Sequence, residues 1–401
     1  MKKKFTIAIF SDFKFKSGGA YNEAHYLAER IFDISKKNFD LFMVNNSVLS
    51  RFNIEKNIKL LNFQMNLFDR FICYSRNFNP LIKKIKRVFF QNKLEKFLKK
   101  NNIDLIIFTG PSQYSLYLEE TDFIITIPDI GHLENNEFPE WAKNGEFDRR
   151  EKILVNSKKA FLILTNAKII AKKLIDKYNY EDSRVKVISQ TVPVGLKNLD
   201  TNIDFKSFNL PENYIFYPAM YLPHKNHKYV IDTIKQLKIN NQLKIGAVFC
   251  GDDKGYLNNL KSYVNKLGLK QEICFFDFVS YEQLAYLYKN SYALIMPTFS
   301  GPTNIPPWEA FYFKKPVFYS NIFNIDKEYK DSVIYIDPFD EKTLIDGLIM
   351  LSENPTLYQD LCARGNKMIA ENEFDNQITA LVNEIKKLEK IKNSWKLDND
   401  I

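Results

Sequence analysis

A lysine in the second half of the sequence stands in a segment that could bind a phosphate group. The segment reads YPAMYLPHKNH over residues 217–227 and begins at the end of a short apolar run that predicts a buried strand. Lys225 would enter a ligand site from the edge of the next helix, and its ammonium suits a pyrophosphate because it is a compact charge with three donors. Taken alone, the residue would more simply be a surface lysine.

A second segment, FSGPTNIPPWEAF over residues 299–311, lies between an apolar strand pattern and a helix. Thr303 and Asn304 precede a helix start at Ile305, and short polar side chains before free backbone N–H groups form an anion-binding nest. Glu309 follows about one turn into the helix, where its carboxylate could accept two hydrogen bonds from a ribose diol. A buried glutamate is costly unless it is satisfied, so this residue should have a partner.

Adjacent glycines in the first half, Gly18 and Gly19, follow the first predicted strand and lead into a helix pattern. Glycine lets the backbone come close to a phosphate, and the helix start offers free N–H groups. A plain turn would need the same residues. The sequence holds no G-x-G-x-x-G dinucleotide fingerprint.

The loop PDIGHL, residues 128–133, follows the apolar run FIITI and carries an aspartate and a histidine three positions apart. An imidazole at His132 could bind a sugar hydroxyl or the negative charge that develops near a leaving phosphate. A histidine satisfied by Asp129 in a structural turn is the alternative interpretation.

Strand and helix patterns alternate along the whole chain. Apolar runs begin near residues 5, 39, 104, 123, 161 and 185 and, after a polar stretch at 197–212, near 214, 245, 273, 292, 316 and 333. Such alternation predicts parallel sheets with helices on both faces, and ligands in these sheets bind beyond the carboxyl ends of the strands. We therefore predict an α/β protein with two Rossmann-like, doubly wound domains that face a central cleft. The expected domains are residues 1–200 and 201–375, with a last helix over about 376–401 that can pack back on the first domain.

The composition, 45% hydrophobic and 26% charged, is that of a folded soluble protein. No apolar run approaches the ~20 residues of a membrane-spanning helix, and the four scattered cysteines fit reduced thiols in a cytoplasmic protein. The formal net charge is +9. Part of it lies in residues 81–100, a basic amphipathic pattern that could rest on an anionic membrane or pack as an ordinary helix with a solvated lysine face. No nucleic-acid-binding motif accompanies the charge, so nucleic acid is not an expected partner.

The segments at 217–227 and 299–311 resemble those of glycosyltransferase family four, a large family of retaining nucleotide-sugar transferases with the GT-B fold. The resemblance is to a bacterial branch with "YPA…PHKNH" and "FGPTNIPPxEAF" segments. It covers roughly residues 214–320 and is looser in the first half, where it rests on the Gly-Gly loop and PDIGHLENNEFPE at 128–140. It implies two Rossmann-like lobes, the first on the acceptor side and the second binding a nucleotide sugar.

The resemblance also implies roles for individual residues. Lys225 would contact the donor diphosphate and Glu309 the ribose, with Asp129 and His132 completing the catalytic set on the first lobe. Thr303, Asn304 and Ile305 would lie along the phosphates, and Gly18 or Gly19 would close over them. Three departures stand out: Gly301 replaces the first of two glutamates eight apart, Met220 replaces a frequent arginine, and Pro128 stands where a histidine is expected, leaving His132 as a displaced substitute.

The implied reaction is hexosyl transfer from a nucleotide sugar to a glycan or lipid-linked glycan, as in O-antigen or capsule assembly. No metal or other cofactor is expected, since a D-x-D pattern occurs only in the tail at residues 398–400. A catalytically degenerate nucleotide-sugar binder or scaffold of the same fold is the main alternative. An epimerase would need acid and base carboxylates that the matching loops lack, and a phosphorylase normally needs a much larger chain and pyridoxal phosphate.

Overall fold

Two parallel β-sheets, each flanked by helices, form the framework of the computed structural model. The structure describes residues 4–11, 19–44, 59–67, 69–70, 92–197, 199, 209–301, 304–323, 329 and 331–394. Within these ranges no helix combines the length and the apolar character that crossing a membrane requires.

The first sheet has seven parallel strands in the order β3-β2-β1-β4-β5-β6-β7. Its central strands are buried on both sides, so they are continuous apolar runs and do not alternate. The strands are β1 (Thr6–Phe10), β2 (Asp40–Val44), β3 (Lys59–Leu61), β4 (Leu105–Phe108), β5 (Asp122–Thr126), β6 (Leu162–Thr165) and β7 (Val185–Val187).

The second sheet has six parallel strands in the order β10-β9-β8-β11-β12-β13. The strands are β8 (Tyr214–Pro218), β9 (Gly246–Cys250), β10 (Ile273–Phe276), β11 (Leu294–Met296), β12 (Val317–Ser320) and β13 (Ile334–Ile336). In both sheets the strand order reverses beside the first strand of the domain, at β1 and at β8.

Helices cover both faces of each sheet, and short 3-10 turns connect several of them. Those that follow strands of the first sheet are α1 (Gly19–Ser35), α2 (Lys93–Lys100), α3 (Gly131–Glu134), α4 (Pro139–Ala142), α5 (Glu146–Asn156) and α6 (Lys168–Tyr178). The others are α7 (His227–Ile239), α8 (Leu257–Leu267), α9 (Tyr281–Asn290), α10 (Ile305–Tyr312), α11 (Glu341–Glu353), α12 (Pro355–Ala370) and α13 (Phe374–Asn393).

The predicted fold class, two Rossmann-like domains with doubly wound sheets, is confirmed. Each of the twelve apolar runs forms a strand within one or two residues of its expected start. The sequence did not indicate β3, because this three-residue edge strand is largely exposed and carries no buried apolar pattern.

The last helix, α13, follows the second domain in the chain but packs on the first. Its apolar side, including Ile378 and Ile385, is buried in the same core as β1 and α1. Two ion pairs join it to that domain: Arg30 with Asp375 at 2.7 Å and Lys392 with Asp122 at 2.6 Å. The chain therefore passes between the domains twice, once after β7 and once before α13.

The basic segment at 81–100 lies mostly outside the described residues, which resume at Asn92. In α2, Leu94 and Leu98 are buried against the first sheet, and the Asn92 side chain accepts hydrogen bonds from the first-turn N–H groups. Lys93 pairs with Asp69 at 2.7 Å and Lys99 with Glu120 at 2.6 Å. This part of the segment packs as an ordinary amphipathic helix with a solvated lysine face.

Candidate active site

A cavity of about 360 Å³ lies where the strand ends of the two sheets face each other. From the first domain it is lined by the start of α1 and by residues that follow β5, β6 and β7. From the second it is lined by residues that follow β8, β9, β10 and β11. Parallel sheets bind ligands where their strand order reverses, and here the reversal points at β1 and β8 meet at one space.

Lys225 lines this cavity at the end of a 3-10 turn, Pro223–Lys225. Asn226 then takes a left-handed conformation, φ 58°, which turns the chain into α7. Burial lowers the pKa of Lys225 to about 8, although the negative charges of Asp129 and Glu140 oppose the shift. Within the described part of the chain no side chain forms an ion pair with this ammonium, so it can receive an anion.

Glu309 lies in the second turn of α10 and also lines the cavity. It is buried, and the Tyr288 hydroxyl donates a hydrogen bond of 2.6 Å to its Oε2. Burial raises the pKa of Glu309 to about 7, and the hydrogen bond from Tyr288 only partly offsets this. A ligand that donates hydrogen bonds to the carboxylate would make the ionised form less costly.

The loop between β11 and α10 brings Asn304 and Ile305 to the cavity. The Asn304 amide is already hydrogen-bonded within the protein, since its Nδ2 donates to the Gly301 carbonyl of the loop at 2.6 Å and to the Tyr319 hydroxyl of β12 at 2.7 Å. Gly301 has φ +85°, a left-handed value that disfavours any side chain. This backbone therefore favours the glycine that stands in place of the first glutamate, and Thr303 lies outside the described residues.

On the first-domain side, Gly19 lines the cavity at the start of α1, while Gly18 lies outside the described residues. Asp129 also lines it, and its Oδ1 accepts from the Arg150 guanidinium at 2.8 Å and from the Gly131 N–H at 2.9 Å. Burial would raise the pKa of Asp129, but the charge of Arg150 holds it below its usual range. Asp129 is thus an ionised carboxylate tied to an arginine.

His132 does not line the cavity, so the structure does not support the prediction that it faces the leaving phosphate. The short helix α3 follows β5, and it places His132 against α5. There its Nε2 lies 3.4 Å from Glu151 Oε2 and its ring packs on Phe147. Burial, reinforced by the charge of Arg150, lowers the pKa of this histidine.

The two domains touch directly at the cavity rim. The Glu140 carboxylate, from α4, accepts a hydrogen bond from the His224 N–H at 3.1 Å and also pairs with the ring of that histidine. Burial lowers the pKa of His224, while the charge of Glu140 partly offsets the shift. Beside them Phe138 of the first domain stacks on Phe299 of the second, with ring centroids 5.6 Å apart. These contacts join the two domains beside Lys225.

Comparison of the sequence with known proteins finds one matching family model and one curated relative. Residues 200–368 match the family model described as glycosyl transferases group 1. The match spans the second domain. A stretch of 214 residues is 28% identical to the O-antigen chain mannosyltransferase RfbU of Salmonella typhimurium, covering 53% of this chain and 56% of that protein. The chain thus spans little more than half of the relative's length.

Solved structures show the same fold over nearly the whole chain. Sucrose-phosphate synthase of Thermosynechococcus elongatus superposes with a TM-score of 0.70 at 12% identity, covering 97% of this chain and 100% of that one. HepE of Anabaena in complex with UDP-glucose gives a TM-score of 0.67 at 14% identity, covering 95% and 99%. The two domains together form the GT-B fold.

The sequence did not single out several first-domain residues that line the cavity. Glu23 in α1 and Arg150 in α5 line the cavity, and burial raises the pKa of Glu23 to about 7 despite hydrogen bonds from Gln190 and Asn166. Both lie inside helices and reach the cavity only through packing, so no loop motif could have indicated them. Glu140 is the last residue of the PDIGHLENNEFPE segment. Its place in that segment was the one sequence feature that indicated it.

In the ranges described, no group of three or more His, Cys, Asp or Glu side chains could hold a metal ion. Both domains bring carboxyl groups to the cavity, and each brings one Lys or Arg side chain, Arg150 from the first domain and Lys225 from the second. Arg150 is already paired with Asp129 and Glu146, whereas Lys225 has no ion-pair partner among the described residues. An anionic ligand would lie against the second domain, with its uncharged part toward the first.

Proposed function

We propose that this protein is a glycosyltransferase that moves a sugar from a nucleoside-diphosphate sugar to a glycan, with retention of the anomeric configuration. The observation that carries this proposal is the Lys225 ammonium. It has no ion-pair partner among the described residues and shares a cavity between two Rossmann-like domains with the buried carboxyl of Glu309. The group 1 glycosyl transferase match and the UDP-glucose complex of HepE support the same ligand class.

The donor would lie along the second domain. Its diphosphate would contact Lys225 and the backbone before α10, and its ribose hydroxyls would donate to Glu309. The nucleobase would occupy the part of the cavity after β9 and β10, where Gly251 and Val279 bring the backbone to the lining. A Cβ at Gly251 would come within 2.2 Å of the Ala219 carbonyl oxygen, so this close approach of two loops requires glycine.

Transfer breaks the bond between the anomeric carbon and the phosphate oxygen and forms a bond to an acceptor hydroxyl oxygen. The acceptor's proton goes to the departing phosphate on the same face of the sugar, so no strong protein base is required. Lys225 stabilises the charge that develops on the leaving group, and a donor aimed in this way contributes about 3 kcal/mol to lowering the barrier. Met220 at the cavity, where the family often has arginine, leaves Lys225 with a larger share of this task.

For the acceptor we propose a glycan or lipid-linked glycan in O-antigen or capsule assembly in the bacterial cytoplasm. The similarity to an O-antigen chain mannosyltransferase supports this class. Contact with the anionic inner membrane through residues 81–100 stays a prediction. If changing Lys83, Lys84, Lys86 and Arg87 to Glu leaves binding to anionic vesicles unchanged, this contact is wrong.

A thermal-shift panel of nucleoside diphosphates and nucleotide sugars, run on the wild type and on Glu309→Ala, tests the donor site. A ligand at 100 times its dissociation constant stabilises the protein by about 2.7 kcal/mol, which raises the melting temperature measurably. We expect a shift with one base only, weakened in the variant. No shift with any nucleotide would overturn the donor site, while a shift without donor hydrolysis or transfer would favour a catalytically degenerate binder.

Metal independence is a separate part of the proposal. We expect full transfer activity in excess EDTA, because a lysine and backbone N–H groups hold the diphosphate in place of a metal ion. Complete loss of activity on chelation, with recovery on adding Mg²⁺ or Mn²⁺, would contradict it.

A further inference from the structure

A second cavity of about 610 Å³ adjoins the first, beside the two points where the chain passes between the domains. Residues after β6 and β7, the helix α10 and the segment between α12 and α13 form its walls. Its volume lies in the range of about 300–1,000 Å³ that small-molecule sites occupy. None of the roles proposed above uses this space.

The chemistry of its walls suits a neutral polyol. The residues that line it include the amide residues Gln190, Asn372 and Asn376, the acidic residues Glu371 and Glu373, and Trp308. None of its described lining residues is Lys, Arg or His. The carboxylates disfavour a phosphate or another anion. Sugar hydroxyls both donate and accept hydrogen bonds, and an indole offers a flat apolar face together with one N–H donor.

Asn166 gives independent evidence for a ligand. It is only 6% exposed and lines both cavities, and its Nδ2 donates to Glu23 Oε1 at 3.4 Å. Its Oδ1 is buried and has no hydrogen-bond partner in the structure. A buried amide oxygen is rarely left unpaired, and a ligand hydroxyl would satisfy it.

Gln190, the other residue shared by both cavities, is fixed in position from two sides. The Tyr26 hydroxyl donates to its side-chain oxygen, and the Asn372 amide donates to its carbonyl at 2.8 Å. The wall between the cavities is therefore held before any ligand binds, which lowers the entropic cost of binding. A molecule of several linked sugars could contact this wall from both sides.

We propose that the second cavity binds a non-reacting neutral sugar unit of the glycan acceptor, so that the protein prefers oligosaccharides to monosaccharides. The identity of the ligand as an acceptor rests on the function proposed above. The site itself rests on the polar walls, the absence of cations from its described lining and the unpaired oxygen of Asn166.

A bulky side chain introduced on α13 would fill the cavity and so test the proposal. Asn376 is an exposed residue of this helix, so Asn376→Trp should fold normally while occupying the cavity. Asn383→Trp is the matched control, because it makes the same change at an exposed position two turns, about 10 Å, further along the same helix. Saturation-transfer NMR on the full chain would measure binding of mannose, mannotriose and maltotriose.

We expect clear trisaccharide signals in the wild type and in Asn383→Trp. In Asn376→Trp these signals should be at least fivefold weaker, and the mannose signal should be weak in all three proteins. No trisaccharide signal in the wild type, or an equal signal in Asn376→Trp, would overturn the inference. Nucleotide thermal shifts on the same three proteins keep the two proposals apart. A normal shift with unchanged trisaccharide binding defeats only this inference, whereas no shift in the wild type defeats the proposed function.

Discussion

At the scale of single residues, the cavity holds ionisable groups whose burial opposes their charge. Glu309 and Glu23 have pKa values raised to about 7, and Lys225 has one lowered to about 8. Burying such groups lowers the stability of the protein. Perturbed pKa values are therefore found mainly where function requires them. The cost falls when a ligand supplies the missing partners.

Replacing Glu309 by Gln should stabilise the empty protein at pH 8. The pKa of this carboxyl rises from 4.5 to about 7 on folding, so its contribution to stability is fully present below pH 4.5 and is lost as pH rises toward 7 and above. Glu309→Gln avoids the loss, and its amide oxygen can still accept from Tyr288. We expect a gain of up to about 3 kcal/mol at pH 8 in urea unfolding and little difference at pH 4.

The same variant should bind nucleotide about tenfold more weakly, because a charged acceptor contributes more than a neutral one to hydrogen bonds. A protein that is more stable yet binds less tightly would identify Glu309 as a ligand group. If Glu309→Gln were destabilised at pH 8, the carboxyl would instead be a structural acceptor for Tyr288.

The pH dependence of transfer should report Lys225. Its pKa of about 8 means that the free protein loses the ammonium above that pH, so kcat/KM should fall as pH rises through 8. Lys225→Arg keeps a positive charge to far higher pH, and its alkaline limb should disappear even though its rate drops roughly tenfold or more from altered geometry. A limb near pH 8 that persists in Lys225→Arg would assign the titration to another group.

At the scale of elements, the loop between β11 and α10 depends on one backbone angle. Gly301 has φ +85° and no atom closer than 3.5 Å to an added Cβ, so the effect of an alanine comes from the angle and not from a clash. We expect Gly301→Ala to cost about 1 kcal/mol of unfolding free energy and to weaken the nucleotide-induced thermal shift by displacing Asn304 and Ile305.

The control for that change is Gly255→Ala. Gly255 has φ +95°, open space around an added Cβ, and a position outside the cavity. Its replacement should cost a similar amount of stability and leave the nucleotide shift unchanged. Equal loss of the shift in both variants would mean that the loop acts through stability alone.

The same elements explain what the sequence could predict. Lys225 and Glu309 follow buried strands within a turn or two of a helix start, so the strand pattern places them near strand ends, while the resemblance to a known family was needed to single them out. Arg150 could not be predicted, because it projects from the middle of α5 and reaches the cavity through packing against Trp141. The position of His132 could not be predicted either, because sequence spacing does not show that this residue lies against Glu151 and Phe147 of α5.

At the scale of the whole molecule, the contact between Glu140 and His224 joins the two domains at the cavity. The chain neighbour of His224 is Lys225, so losing the contact frees the lysine loop from the first domain. Enzymes of this architecture exclude water by closing, and an open cavity lets water compete with the acceptor. Domain separation should therefore change the ratio of hydrolysis to transfer more than it changes nucleotide binding.

Glu140→Ala should lower transfer about tenfold or more and raise the fraction of donor that is hydrolysed, while the nucleotide thermal shift remains. The shift should persist because the proposed nucleotide contacts lie on the second domain, and small-angle scattering should show a larger radius of gyration. Glu137→Ala, an exposed glutamate of the same segment, is the control and should match the wild type in all measurements. If Glu140→Ala keeps the wild-type radius and product ratio, the Glu140–His224 pair does not govern closure, and the aromatic stack of Phe138 on Phe299 would hold the domains together without it.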